Sequence, residues 1–164
     1  PGLQEATVWV GSTQLTMAVG GDTYYTRIID ERFPDFDSVI PKDNENELIV
    51  NRMALLSGVR RVSIFSNRST HQIALALSKD ENQITTEDPE KASSAKENID
   101  GKYSGEDLII GYNAAYLKDI LAHIPSDEVV VKLNSSISAA LFYPKKQEGN
   151  TELTTLLMPI RLNE

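Results

Sequence analysis

Cysteine is absent from the chain, which removes disulfides, thiolate nucleophiles and cysteine-based zinc sites together and makes a reducing cytoplasm its natural compartment. Histidine is scarce, with only His71 and His123. No glycine-rich phosphate loop or nucleophile elbow is present, and no set of base, orienter and nucleophile can be assembled. Catalysis and cofactors are therefore not expected. Asp35 and Asp37 come nearest to a metal pair, but two carboxylates on a connector read as turn residues, so no metal site is expected either. No apolar run approaches the roughly 18 residues that cross a bilayer, and no signal peptide opens the chain. A membrane partner is not expected. Pro1 is not an initiator methionine, so the start reads as a cloning boundary, a processed end or a fragment.

Acidic residues are absent from one stretch and crowded in the next. Residues 51–79 carry Arg52, Arg60, Arg61, Arg68, Lys79 and His71 with no Asp or Glu, whereas residues 80–107 hold nine acids against Lys91, Lys96 and Lys102. The net charge of -8 argues against a protein that grips nucleic acid with its whole surface, because affinity for phosphate comes from clustered cations. Segregated charge of this kind also describes two solvated faces.

At 164 residues with 40% hydrophobic content, the chain can bury a sound core as one domain, or as one domain plus part of another. Short apolar runs at 7–10, 14–19 and 23–29, separated by Gly11-Ser12 and Gly20-Gly21-Asp22, predict an antiparallel meander. A strand at 47–51 then leads into a helix at 52–62, whose Leu55, Leu56, Val59 and Val62 share one face while Arg52, Arg60 and Arg61 fall largely off it. Gly58 weakens this helix by up to about 1 kcal/mol relative to alanine.

The same entry recurs further on. Glu106-Asp107-Leu108-Ile109-Ile110 precedes a helix with Asn113 as N-cap and Leu117, Ile120, Leu121 and Ile124 as its stripe. Strands are expected after each helix, at 72–77, 83–87 and 99–103 in the first half and at 128–133, 137–143 and 153–158 in the second. The reading is an α+β fold with a duplicated β-α-β-β-β unit occupying residues 36–164.

Two segments remain. An apolar run at 155–160 is usually the last strand of a sheet, but Pro159 removes a ladder donor and places the segment at an edge or ends it there. Apolar groups beside an edge offer another chain a docking place. Upstream, Arg32-Phe33-Pro34-Asp35-Phe36 sets a proline between aromatics and reads as a rigid connector. These two segments, the duplicated unit, Tyr103-Ser104-Gly105, Gly111-Tyr112-Asn113-Ala114-Ala115-Tyr116 and Ser135-Ser136-Ile137-Ser138 together make the chain, from about Thr7 onward, resemble the bacterial DNA polymerase sliding clamp, the beta-subunit processivity factor.

That resemblance implies a DNA-clamp fold, with antiparallel sheets outside and two helices on the inner face. It implies that residues 1–35 are the last strands of the clamp's middle domain and residues 36–164 its C-terminal, third domain. The implied function is to encircle duplex DNA without reading sequence, as a homodimeric ring when full length, and to tether replicative polymerase, clamp loader and repair proteins in the cytoplasm, at the nucleoid during replication. DNA-facing candidates are Arg60, Arg61 and Lys118. Partners would bring short linear motifs of the Gln-Leu-x-Leu-Phe type to a groove between the second and third domains. Pro34 and Val39 would form one wall, Leu156, Met158, Pro159, Ile160, Arg161 and Leu162 the other, and Asn113, Tyr116, Ser136 and Ile137 the extension. Ser38 stands where the family often has arginine, and Ala139 where it has a small polar contact. A non-catalytic peptide-binding adaptor that does not act on DNA would also use such a groove; the acid-free stretch favours the clamp.

Overall fold

The computed structural model describes residues 5–33, 35–147 and 149–162. They form two compact units, Pro1–Phe36 and Asp37–Glu164. In the first, β1 (Ala6–Val10), β2 (Gln14–Val19) and β3 (Asp22–Arg27) build the expected antiparallel meander. None of its strand residues is buried; Trp9, Val10 and Tyr25 stand more than half exposed. β3 stops at Arg27, short of the expected 29.

The second unit runs through β4 (Asn46–Asn51), α1 (Arg52–Val62), β5 (Gln72–Leu77), β6 (Asn82–Asp88), β7 (Ser93–Asn98) and β8 (Gly101–Ser104). It continues with β9 (Leu108–Asn113), α2 (Ala114–His123), β10 (Glu128–Leu133), β11 (Ala140–Pro144) and β12 (Thr155–Leu157). Its two antiparallel sheets have the orders β12-β11-β10-β4-β8 and β7-β6-β5-β9. The duplication is visible in the pairing: each repeat lends its first strand to the other's sheet, β4 lying against β10 and β9 against β5. The far sides of those two strands are both covered by antiparallel contacts, β4 by β8 and β9 by a single bridge from Gly111 to Ile160.

Both helices begin at an asparagine that ends a strand. Asn51 Oδ1 accepts from Ala54 N and Asn113 Oδ1 from Ala115 N, each at 2.9 Å, and such caps contribute about 1 kcal/mol apiece. The Leu55, Leu56, Val59 and Val62 face of α1 is buried with Leu117 and Leu121 of α2 in one core shared by both sheets. Gly58 is explained by what lies over it, since a Cβ there would meet Ile84 Cδ1 at 2.9 Å and Glu97 Oε1 at 3.2 Å. The propensity lost at Gly58 permits α1 to lie close on β6 and β7.

Three strands start later than expected for local reasons, and one strand, β7, lies where the sequence predicts none. Ile99 belongs to the turn into β8, its N–H donating to Asn82 O at 2.8 Å. Residues 137–139 belong to a turn closed by Ser135 and Ser138, whose hydroxyls lie 2.7 Å apart, so β11 starts only at Ala140. Gln147 occupies both backbone groups of Leu153, and β12 is confined to Thr155–Leu157, with Pro159 beyond its end. β7 carries Ser, Lys, Glu and Asn around a single alanine and lacks the apolar alternation that reveals a strand.

Tyr112 and Phe142 meet edge to face in the core with centroids 6.4 Å apart, while the buried Tyr112 hydroxyl finds no hydrogen-bond partner among the described residues. Burial pushes its pKa well above the usual phenol range, and raises Tyr103 and Tyr143 too, with neighbouring carboxylates adding to the effect on those two. All three phenols keep their protons in the folded state after the unfolded chain has begun to lose them at about pH 10. Stability should therefore fall as pH rises past that value. Tyr112→Phe removes an unsatisfied buried donor and should raise stability at neutral pH by about 1 kcal/mol while flattening the alkaline decline; urea titrations across pH 7–11 check both.

Candidate functional site

Residues 156–160 are held from two sides. Upstream, Leu157 pairs with Ala140 and Leu156 with Leu141 in the five-stranded sheet. Downstream, Ile160 N donates to Gly111 O in β9 at 2.9 Å. Two residues after Gly111 the chain reaches Asn113 and enters α2, which packs against β12. The turn holding Ser136 and Ile137 leads directly into β11, the partner of β12. Leu156, Met158, Pro159, Ile160 and Leu162 are thereby brought to the same end of the fold as Asn113, Tyr116, Ser136 and Ile137. Tyr116, Ile137 and Met158 are each at least 60% exposed, which makes this an apolar surface rather than core. Arg161 is exposed beside them.

Asn113 has a second duty. Its Oδ1 caps α2 and its Nδ2 donates to Thr70 O at 3.2 Å, while Ala114 N donates to His71 O at 2.8 Å. His71 adopts the left-handed region, φ 50°, to present that carbonyl. The loop before β5 thus fixes the start of α2, and with it Tyr116. Val39 ends a short 3-10 turn, Phe36–Val39, and is 61% exposed; the registers that unite the other residues do not include it. Pro34 lies outside the described residues.

The three DNA-facing candidates have different surroundings. Arg60 is exposed. Arg61 is engaged bidentately by Glu97 of β7, with Nε to Oε2 at 2.9 Å and a second contact from Nη2 to Oε1. That hydrogen bonding lowers the Glu97 pKa and raises that of Arg61. Lys118, half-buried, reaches Ser63 Oγ at 3.4 Å across the two helices. Arg52, read from sequence as one more surface cation, instead donates Nε to Ser126 O at 2.7 Å and Nη1 to Leu121 O at 2.8 Å. Sequence reasoning passed over two residues. Glu97 gave no local signal, because its partner lies 36 residues away. Gly111 did give one: a glycine inside a buried strand marks close approach of another backbone.

Among the described residues no group of His, Cys, Asp or Glu could hold a metal ion, and no helix is long and apolar enough to cross a membrane.

Two capped helices on paired antiparallel sheets, with first strands exchanged between repeats, define a domain of the DNA-clamp type. A family described as DNA polymerase III beta subunit, C-terminal domain, matches residues 37–161, and the chain belongs to that family. It is 31% identical over 153 residues to the beta sliding clamp of Pseudomonas putida, covering 93% of this chain and 41% of that protein. Among solved structures it is similar to a sliding clamp of Bartonella birtlesii bound to griselimycin, with TM-score 0.82, 32% identity and coverage of 94% and 41% of the respective chains. A Pseudomonas aeruginosa clamp, also bound to griselimycin, gives TM-score 0.80 at 29% identity with the same coverage. The chain thus spans about two fifths of the length of these relatives.

Proposed function

We propose that this chain forms the C-terminal clamp domain, with the last strands of the preceding domain, of a ring-shaped processivity factor that encircles duplex DNA and tethers replication proteins. It acts by binding, not by catalysis. The family match across nearly the whole second unit carries this reading. Residues 1–35 fit the edge of a larger domain, because their three strands bury none of their own residues and an isolated small sheet without a covered face is not stable by itself.

The exposed Arg60, the half-buried Lys118 and the Glu97-matched Arg61 supply a modest positive charge, suited to weak, salt-sensitive phosphate contacts that permit sliding. Exposed Ile64 and Phe65 at the end of α1 lie close to β7, where Ser93 Oγ donates to Phe65 O at 3.3 Å. An apolar pair beside an edge strand suits closure of a ring between subunits. The tail from Leu156 to Leu162, with Asn113, Tyr116, Ser136 and Ile137, receives short apolar motifs of polymerase, loader and repair proteins. Met158 suits a site with many partners because its thioether repacks around different shapes, and the griselimycin carried by the two relatives is a ligand to test on this chain. The protein works in the cytoplasm, at the nucleoid during replication.

Retention on circular against linear duplex DNA tests the proposal in a protein of the relatives' full length. A ring loaded on a closed circle should stay through a gel-filtration run and slide off linear ends. Equal retention on both would favour a peptide-binding adaptor that does not act on DNA.

A further inference from the structure

The C-terminal segment leaves one sheet and joins the other within three residues. Leu157 is the last residue of the β11–β12 ladder, and Ile160 is already bridged to β9. Pro159 suits the crossing because it has no N–H to satisfy. Met158 is left presented at the surface, 60% exposed.

The downstream anchor depends on an absent side chain. A Cβ on Gly111 would lie 2.6 Å from Ile160 O and 2.7 Å from Leu162 Cδ2. The first of these is a backbone atom and cannot rotate away. The φ angle of Gly111 is not positive, so the position calls for glycine through space alone and not through backbone conformation. In the other repeat the cover is broader and the fit less tight: β4 is covered by β8 through a four-residue register, from Glu47↔Ser104 to Val50↔Gly101, where a Cβ on Gly101 would come to 3.1 Å from Ile49 O, whereas β9 is covered by one bridge. A contact of that size tolerates no intruding atom.

We infer that Gly111 is a positioning residue for the peptide surface, the seat on which the C-terminal tail closes so that Met158 is fixed between two anchors. The functional half of this inference rests on the peptide-binding reading above. The seat itself rests on geometry alone. A Cβ at 111 pushes the tail off β9 and leaves β9 paired with β5 on its other side, where Gly111 faces Ala74.

The test is Gly111→Ala in the full chain, read by amide hydrogen exchange and by fluorescence anisotropy with a labelled Gln-Leu-x-Leu-Phe peptide. Exchange at the Ile160 amide should quicken at least tenfold while the β5–β9 amides keep their protection, and peptide affinity should fall at least tenfold. A merely structural role would instead loosen β5 and β9 together. Unchanged exchange at Ile160 overturns the seat. Faster exchange with unchanged affinity overturns its role in binding. If the unaltered chain binds no peptide, affinity is read instead on a protein of the relatives' full length; absence of binding there too fails the binding reading and takes the functional half with it, while the exchange result still decides the seat. Should Gly111→Ala fail to fold, Leu162→Ala, which leaves β9 intact, is read by exchange alone because Leu162 itself belongs to the peptide surface: quicker Ile160 exchange supports the seat, and unchanged exchange overturns it.

Discussion

Replacing Arg52 by alanine should destabilise the second unit by about 2–4 kcal/mol, the scale of two hydrogen bonds from a charged donor. Its guanidinium reaches carbonyls of Leu121 and Ser126, 69 and 74 residues away in sequence. The Leu121 carbonyl lies in the last turn of α2, where carbonyls lack intrahelical partners and a cation is favoured by the helix dipole. Arg52 is also the first residue of α1, so one side chain ties the start of one helix to the end of the other. Its backbone N–H bond to Asp127 O at 2.8 Å survives the substitution, which confines the loss to the guanidinium. Lysine cannot reproduce the fork, and Arg52→Lys should recover half the loss at most. Urea unfolding is the measurement: a lowered midpoint at unchanged slope is expected. A change under about 0.5 kcal/mol, typical of surface positions, would show that Arg52 is an ordinary surface cation.

The contrast between Arg52 and α1 as a whole shows what the sequence could disclose. The bounds of α1 follow from neighbours in the chain: a strand ending in Asn51, then apolar residues at helical spacing. The duplication was legible for the same reason, since acid-Leu-Ile-Ile/Val followed by a helix is a local pattern written twice. The strand exchange between repeats was not, because it depends on pairings such as Glu128 with Asn51 that no local pattern encodes. Arg52, Arg60 and Arg61 look alike in sequence, yet one links two helices, one is exposed and one is matched by Glu97. β7 was hidden for a different reason. Its inward residues are Ser93, Ala95 and Glu97, each only half-buried, so it satisfies its backbone on β6 without any hydrophobic signature. The tail residues were named through a resemblance, and the registers then brought most of them to one end of the fold; the bridge to Gly111 that holds them there was not foreseen.

Met158→Asp should weaken binding of a Gln-Leu-x-Leu-Phe peptide by at least about 30-fold, the consequence of losing 2 kcal/mol or more at a central apolar anchor. Placing a carboxylate against apolar ligand side chains adds a desolvation cost with no partner to offset it. The fold should be untouched within about 0.5 kcal/mol, because an exposed residue contributes little to the core and Met158 lies beyond the end of β12. Met158→Leu, nearly conserving volume, should stay within about tenfold of the parent affinity. Fluorescence anisotropy on the parent and both variants, with thermal unfolding alongside, separates the outcomes. Retained binding in Met158→Asp at unchanged stability would remove the tail from the binding surface. No binding even by the parent would call for the same titration on a protein of the relatives' full length. Absence there too would count against the peptide-binding part of the proposed function, whereas binding there alone would show that residues upstream of this chain complete the groove.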